Sequence, residues 1–371
     1  MDTYFTFANL HQAYLDCKKY KNQTFYHQKF AYDLEKNLSK LELDLVNRTY
    51  RPERSIAFVV TQPKIREIFA ADFRDRVIHH LLYNYLAPVF EPRFIYDSWA
   101  CRPAKGTHGA MLRLQQFTRK VSQNRRSRDC YYLKMDIKSF FTSIDKHILY
   151  QLVERRVKNK EIRWLAHVNI FHDCARDIPP RIQSAPTLFD SLPLDKSLFT
   201  VEPGKGLPIG NLTSQFFANV YLHELDAFVK HHLKARYYVR YVDDFVIVHE
   251  DQTVLERYKQ EITEFVWQRL RLKVHPGKVF IRPISDGIDF VGYVVRPDYI
   301  LIRRRVVGEW RRRMEQAATP DQQQTIYHSY QAHARWADSH KLQRVMRKRL
   351  PDVETVYSNP PMSLNEPVRT S

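Results

Sequence analysis

The spacing of apolar residues predicts a helical start to the chain, followed by a short β-rich stretch. From about residue 10 to residue 45, apolar positions recur at intervals of three and four, as on one face of a helix. Residues 55–60 are apolar and favour a strand, and residues 64–68 continue as a strand or a turn. Asp72 is then placed to cap a helix that begins near Asp75.

A mixture of strands and loops follows. Residues 101–109 include two Gly and predict a loop that leads into a helix. Residues 131–137 predict a strand, and Asp145 is placed to cap the helix after it. Residues 177–206 are rich in Pro, Ser and Asp, so we expect a long loop there.

The remaining pattern is again mixed and ends in helix. It predicts a helix at 213–229, a pair of strands at 237–248, a helix at 254–270 and one strand at 289–295. Residues 306–350 are helical in pattern and strongly basic. This order of elements predicts an α+β fold with helical ends.

The charge of the chain indicates its partner. Lys and Arg number 59 against 41 Asp and Glu, a formal net charge of +18, which favours nucleic acid or an anionic membrane. The membrane is the weaker choice, because no run of 18 apolar residues and no secretory signal is visible. We therefore expect a cytoplasmic location, for a protein encoded by a bacterium, an archaeon or a phage. The cysteines are far apart and suggest reduced thiols rather than a zinc site.

Two adjacent acids, Asp243 and Asp244, stand between the predicted strands at 237–242 and 245–248. Asp-Asp is a poor hairpin turn, since it lacks a residue that adopts positive φ easily. Two neighbouring like charges are costly without a cation, and Mg²⁺ favours carboxylate oxygens together with substrate phosphates. On residue chemistry alone, an ordinary acidic turn is the alternative.

A third acid, Asp136, ends the predicted strand at 131–137 and lies 107 residues before Asp243. Two such strands side by side in one sheet would bring Asp136 next to Asp243. Phosphoryl transfer by two metal ions uses carboxylates that bridge cations roughly 3.5–4 Å apart. The three acids therefore predict a site for two Mg²⁺ ions, with Mn²⁺ as an alternative.

An ordered set of motifs resembles that of reverse transcriptases. Tyr-Val-Asp-Asp at 241–244 resembles their active-site box, and Asp136 with Phe140 and Phe141 resembles their first aspartate motif. Similar motifs occur in the expected order at 64–66, 75–76, 206–215, Lys278 and 290–293. The match covers roughly residues 10–345 and implies an RNA-directed DNA polymerase of right-hand architecture.

That architecture implies a division of the chain into fingers, palm and thumb. N-terminal helices and fingers would occupy residues 1–130, and a palm of antiparallel sheet plus helices residues 131–300, with an inserted loop near 177–206. A basic helical thumb would occupy 301–350, before a disordered tail at 351–371.

Two residues narrow the resemblance to the enzymes of diversity-generating retroelements. Most reverse transcriptases have Gln and Pro where this chain has Ile209 and Gln215, and residues 101–108 are also similar to that subfamily. The subfamily implies error-prone copying of a template RNA, with errors at adenines, into cDNA that replaces part of a target gene. It also implies a small, basic, helical and oligomeric accessory protein as a partner.

The resemblance assigns roles to single residues. The acids Asp136, Asp243 and Asp244 would be catalytic, and Ile137 would join them as a metal ligand. Cations would contact the deoxynucleoside triphosphate, and Lys278 would act as a general acid, although a solvated charged face is the alternative for each. The nucleotide-binding candidates are Lys64, Arg66, Arg76, Phe141, Ile209, Gln215 and Lys278.

Phe141 and Ile209 carry the specificity predictions. Phe141 would stack beneath the sugar and exclude a 2′ hydroxyl, with a core Phe as the alternative. Ile209 cannot donate the hydrogen bond that Gln offers to the incoming nucleotide. Because discrimination depends on contacts made in the transition state, we hypothesise that Ile209 lowers fidelity.

Basic and aromatic residues alternate in the last helices. Arg303, Arg304, Arg311 and Arg312 are expected to contact the backbone of template RNA and of the RNA/cDNA duplex. Tyr327, Tyr330 and Trp336 would stack on bases, or would belong to the thumb's own core.

Other biological roles stay open. An antiviral-defence or intron-type reverse transcriptase shares the same palm, although intron maturases usually carry further nucleic-acid-binding domains, for which little chain follows the thumb. A catalytically silent RNA-binding protein on the same fold is a further alternative, and the presence of all three acids argues against it.

Overall fold

The computed structural model describes residues 3–19, 24–62, 64–124, 129–177 and 188–350. The predicted tail at 351–371 and the segment 178–187 of the predicted loop lie outside these residues. Among the residues described, no helix combines the length and apolarity needed to cross a bilayer. All four cysteines are free thiols.

Helices and one β-hairpin form the N-terminal part. The helical stretch predicted at 10–45 is divided into three helices, and the strand predicted at 55–60 is present. The Asp72 side chain caps the following helix by accepting from the N–H of Arg74, as predicted. The elements are α1 (Phe7–Lys18), α2 (Phe25–Tyr32), α3 (Leu34–Val46), β1 (Ile56–Val60), β2 (Arg66–Ala70) and α4 (Phe73–Phe90).

The central part contains an antiparallel sheet of order β4-β5-β3-β6 among helices. Asp145 caps its helix, as predicted, by accepting from the N–H groups of His147 and Ile148. The described part of the predicted long loop, 188–206, contains only short 3₁₀ turns. The elements are α5 (Thr107–Ser122), β3 (Tyr131–Asp136), α6 (Phe140–Ser143), α7 (Lys146–Glu154), α8 (Lys160–Phe171), α9 (Leu212–Ala227), β4 (Tyr237–Tyr241), β5 (Asp244–His249), α10 (Gln252–Leu270) and β6 (Phe280–Pro283).

Both faces of this sheet are buried. In β5, Phe245 and Ile247 point into the core formed with the helices of the N-terminal and central parts. Val246 and Val248 point to a second core, which is formed with α5. Burial on both faces explains why β5 is a continuous apolar run rather than an alternating one.

The strand predicted at 289–295 is wrong, because the chain reverses direction inside it. The turn lies at Val291 and Gly292, which both have positive φ, 44° and 96°. Glycine adopts such φ values without cost, whereas Val does not, so the apolar run concealed the turn. The strands are β7 (Ile288–Phe290), β8 (Tyr293–Val295) and β9 (Ile300–Ile302), paired in that order.

The basic C-terminal helices pack around a small core of their own, which contains Trp310, Met314 and Tyr327. Tyr330 stacks on Trp310 with 5.6 Å between ring centroids, and Trp336 stacks on His108 at 4.7 Å. Tyr327 and Tyr330 therefore follow the core alternative, whereas Trp336 packs against the second core and not the core of these helices. The helices are α11 (Arg304–Gln316), α12 (Pro320–Ala334) and α13 (His340–Arg347).

Close backbone contacts join the β1–β2 hairpin to the central part. The N–H of Phe69 in β2 donates to the carbonyl oxygen of Ile209 at 2.9 Å. Gly210 follows with φ +124°, and a Cβ there would lie 2.8 Å from the Phe69 carbonyl oxygen. A contact that close requires glycine, so this loop is held tightly against β2.

Gly210→Ala is therefore expected to lower the free energy of unfolding by about 1–3 kcal/mol, because Ala combines a positive φ with a backbone clash. Gly308→Ala is the matched control, since a Cβ at Gly308 in α11 meets nothing within 4 Å. The control should instead stabilise the protein by about 0.5–1 kcal/mol, because Ala favours helix. Urea unfolding measures both, and equal effects would contradict the assignment.

Candidate active site

The register of the sheet brings the three acids to one end. β3 and β5 are antiparallel, and the Cα partner of Asp136 is Asp244. Asp243 is one residue away, in the turn between β4 and β5, and its carbonyl oxygen accepts from the N–H of Ile137 at 3.3 Å. The meeting of Asp136 with the hairpin, predicted from the sequence, is thus present.

The turn of this hairpin lies one residue earlier than predicted. Tyr241 pairs with Asp244, so the two turn residues are Val242 and Asp243 rather than the Asp pair. Val242 has φ +54°, a left-handed conformation that a β-branched side chain rarely adopts. Such a residue typically stores about 1–3 kcal/mol of strain and persists only where the surroundings hold it.

Two lysines pair with the acids. The Nζ atom of Lys278 lies 2.9 Å from both carboxylate oxygens of Asp136. Lys134, which the sequence analysis missed, places its Nζ 3.0 Å from Oδ2 of Asp244. Its spacing was the available signal, because residues two apart on a strand face the same side, and Lys134 precedes Asp136 by two.

Burial makes the remaining charges costly. Burial, followed by the negative charge of Asp136, raises the pKa of Asp243 to about 6. Burial also raises the pKa of Asp244 to about 6, although Lys134 opposes the rise. Both carboxylates therefore ionise completely only above neutral pH, unless a cation stabilises them.

The donor set suits a hard divalent cation. Oδ1 of Asp244 is buried and has no hydrogen-bond partner, which is an unsatisfied acceptor of the kind that a cation would complete. Ile137 could contribute only its carbonyl oxygen, since its side chain is apolar and buried. Among the described residues, no three His, Cys, Asp or Glu side chains form a ready-made metal cage. Lys278 and Lys134 already engage oxygens of Asp136 and Asp244.

Some of the predicted cations lie near the acids. Burial and the charge of Lys278 lower the pKa of Lys64, whereas Asp136 raises it, so Lys64 is within electrostatic reach of both. Arg66 and Arg305 add to the lowering, which places them in the same field. Arg76 is used differently, because its Nε donates to the carbonyl oxygen of Ala71 at 2.8 Å.

The specificity candidates stand around the motif at 206–215. The carbonyl oxygen of Phe141 accepts from the N–H of Leu207 at 2.8 Å, so α6 is tied to this motif. Phe141 is partly buried and packs edge-on against Phe140. Ile209 is also partly buried, and Gln215 is exposed on the first turns of α9.

The predicted backbone-binding arginines differ in their surroundings. Arg303 pairs with Asp289, and its N–H donates to the carbonyl oxygen of Gly292 at 3.0 Å, which fastens α11 to the β7–β8 turn. Arg312 pairs with Glu309 at 2.7 Å. Arg304 and Arg311 are exposed. Arg313, which was not predicted, donates to the side-chain oxygen of Gln62 beyond the end of β1.

Residues 60–295 match the model of the family described as reverse transcriptase (RNA-dependent DNA polymerase). The protein YkfC of Escherichia coli K12 is 22% identical over 308 residues, 73% of this chain and 73% of that protein.

A second relative is encoded in an intron. The group II intron-encoded protein LtrA of Lactococcus lactis is 22% identical over 327 residues, and the match covers 71% of this chain but only 50% of that protein. A structure of apo telomerase from Candida tropicalis, truncated from its C-terminal domain, matches with TM-score 0.46 and 12% identity, over 67% of this chain and 55% of that one.

Asp243→Asn is expected to stabilise the protein at pH 8 in buffer without divalent metal. The pKa of Asp243 is raised from 3.8 to about 6, so its contribution to stability is fully present below pH 3.8 and is lost as the pH rises through 6. Asn imitates the uncharged form. We expect a gain of about 1–2 kcal/mol at pH 8, after allowing for partial exposure, and none at pH 3.8.

Thermal unfolding at both pH values measures this difference. Asp129→Asn, at an exposed acid just before β3, is the matched control and should show no pH-dependent gain. An Asp243→Asn protein that is no more stable than the wild type at pH 8 would mean that the charge at position 243 is already compensated.

Proposed function

Because the chain belongs to the reverse transcriptase (RNA-dependent DNA polymerase) family, we propose that it copies RNA into DNA at Asp136, Asp243 and Asp244. The family match confirms the predicted enzyme class, an RNA-directed DNA polymerase, and the predicted right-hand polymerase fold. The observation that carries the site assignment is the pairing of Asp136 with Asp244 beside the turn at Asp243. The division into fingers, palm and thumb at residues 130, 300 and 350 stays a prediction.

The acids would hold the divalent cations. Asp136, Asp243 and Asp244 would supply carboxylate oxygens, and Oδ1 of Asp244 is buried without a hydrogen-bond partner and would gain one from a cation. Bound Mg²⁺, or Mn²⁺, would supply charge neutralisation at the transferring phosphate and activation of the primer hydroxyl. The choice between the two ions stays a proposal.

Lys278 and Lys64 would act on the triphosphate. A bound cation would compete with the ammonium of Lys278 for the oxygens of Asp136, which lie 2.9 Å from the Lys278 Nζ. Once displaced from Asp136, Lys278 would be free to approach the leaving pyrophosphate and donate a proton. Burial and the charge of Lys278 lower the pKa of Lys64, and a bound triphosphate would favour the charged form of Lys64.

Phe141 and Ile209 would select the nucleotide. The bond from Leu207 to the Phe141 carbonyl oxygen couples the sugar gate to the motif that contains Ile209. Ile209 is itself held by its backbone bond to Phe69 of β2. The side chain at position 209 therefore projects from a fixed backbone, so its chemistry rather than its mobility would set the discrimination.

We further propose the diversity-generating role for this enzyme. Ile209, Gln215 and the stretch at 101–108 support it, since they are where this chain resembles that subfamily. The role would require a template RNA, a target gene and an oligomeric accessory protein, and it would take place in the cytoplasm. The net charge of +18 suits the RNA.

A group II intron role is the second candidate, because the match to LtrA favours it. The chain nevertheless spans only half the length of LtrA, so LtrA's activities do not carry over as a whole. The two candidates differ in what they predict for fidelity. Frequent errors at template adenines would support diversification, and their absence would favour the intron type.

Asp244→Ala is expected to lower Mg²⁺-dependent primer extension on an RNA template by more than about 1,000-fold, because a carboxylate that holds the cations is lost. Asp129 is an exposed acid that precedes the start of β3, at the end away from Asp136, and Asp129→Ala should leave extension unchanged. Near-ultraviolet circular dichroism checks that both variants are folded. Extension by Asp244→Ala at the wild-type rate would exclude this site.

Ile209→Gln is expected to reduce misincorporation opposite template adenines by about 3- to 10-fold, as one added hydrogen bond would. Sequencing of cDNA made from a defined RNA measures the error spectrum. Ile148→Gln on α7 is the matched control and should leave the spectrum unchanged. Identical spectra for the wild type and Ile209→Gln would count against a fidelity role for this residue.

A further inference from the structure

Arg240 is a fully buried charge in β4, directly before Tyr241 of the catalytic hairpin. Its side chain and that of its partner Asp226, in α9, are both 0% exposed. Burying an arginine is expensive unless its charge and its donors are all compensated. The hydrogen-bond partners of Arg240 therefore indicate its role.

Every donor of the Arg240 guanidinium has an acceptor. Nε and Nη2 donate to the two carboxylate oxygens of Asp226 at 2.7 and 2.6 Å, a bidentate pair. Nη2 also donates to Oγ of Ser98 at 3.0 Å, and Nη1 to Oδ1 of Asn219 at 3.3 Å. The fifth donor, on Nη1, bonds to the carbonyl oxygen of Val242 at 2.9 Å.

The acceptors are themselves fixed. The hydroxyl of Tyr238 donates to Oδ1 of Asp226 at 2.8 Å, and the amide of Asn219 donates to the carbonyl oxygen of Ala100 at 2.8 Å. The backbone of Arg240 also bonds to the segment at 97–99, through its N–H and its carbonyl oxygen. A rigid frame built from α9, β4 and that segment thus holds the guanidinium in one place.

The bond to Val242 is the one that reaches the active site. Val242 is the strained turn residue with φ +54°, and its carbonyl belongs to the peptide bond that enters Asp243. The orientation of that peptide plane sets the direction of the Asp243 side chain. The rigidly held Nη1 of Arg240, by donating to the Val242 carbonyl oxygen, can therefore keep Val242 in this strained conformation.

We infer that Arg240 is a positioning residue, which holds the Val242–Asp243 peptide so that the Asp243 carboxylate faces Asp136. The inference deepens the proposed function, since it rests on Asp243 being a metal ligand. A purely structural arginine would also need an acceptor for its fifth donor, so the bond to Val242 fits both roles. The two roles separate in kinetics and in metal binding.

The test is Arg240→Lys, which keeps the charge but cannot reach all five acceptors. We expect kcat to fall by about 10- to 100-fold, as small misplacements in an active site do, while KM for the nucleotide changes little. The concentration of Mg²⁺ for half-maximal rate should rise. Arg155→Lys, in the exposed pair with Glu224 at 2.7 Å, is the matched control and should leave all three values unchanged.

A second substitution tests the route through the turn. Val242→Gly removes the strain, since Gly adopts positive φ freely. In the Arg240→Lys background it should raise kcat by about fivefold or more relative to Arg240→Lys alone, with Val242→Gly by itself as the reference for its own effect. A merely structural arginine predicts no such rescue, and additive effects would overturn the inference. If Arg240→Lys does not fold, Ser98→Ala takes its place, because it removes one acceptor that holds the guanidinium. It should lower kcat by about 2- to 5-fold.

Binding of Mn²⁺, followed by calorimetry, keeps the inference separate from the proposed function. If the wild type does not extend primers at all, the proposed function fails, but the Mn²⁺ affinities of wild type and Arg240→Lys still test the positioning. Weaker binding by the variant supports positioning, and equal binding overturns it. If the wild type extends primers and Arg240→Lys matches its kcat and Mg²⁺ requirement, only the positioning role is lost.

Discussion

The pairing of β3 with β5 is the constraint on which the site depends. Six residue pairs, from Tyr131 with His249 to Asp136 with Asp244, set the register. A slip by one residue would exchange the two faces of a strand, and both faces are buried in different cores. The cores therefore fix the position of the acids more firmly than any bond between the acids could, since three carboxylates repel one another.

The site concentrates costs that a stable protein avoids. Asp243 and Asp244 are carboxylates with pKa values raised to about 6, and Val242 between β4 and β5 is strained. Lys278 and Lys134 offset part of the repulsion, and the buried frame around Arg240 holds the turn. The catalytic arrangement lowers the stability of the fold at this end of the sheet. The packing of the sheet against both cores offsets that loss.

Much of this could be predicted from the sequence, and the failures have physical causes. Helices and strands with clear periodicity, the caps Asp72 and Asp145, and the meeting of Asp136 with the hairpin were all accessible. The turn at Val242 was not, because positive φ at a β-branched residue contradicts local preference and depends on tertiary contacts. Arg240, a charge within an apolar strand, was not singled out from the sequence, and its partner Asp226, in the last turns of α9, has no local signal.

The order of β3 in the chain has a consequence for synthesis of the protein. Its neighbours β5 and β6 begin at Asp244 and Phe280, more than 100 residues after β3 ends at Asp136. At roughly 5–20 residues per second, the ribosome would leave this central strand without either partner for about 5–20 s. Unpaired strand edges invite intermolecular association. The helices α1 to α5, which are already synthesised, and the nascent helices α6 to α9 are thus the segments available to shield β3 before the sheet can close.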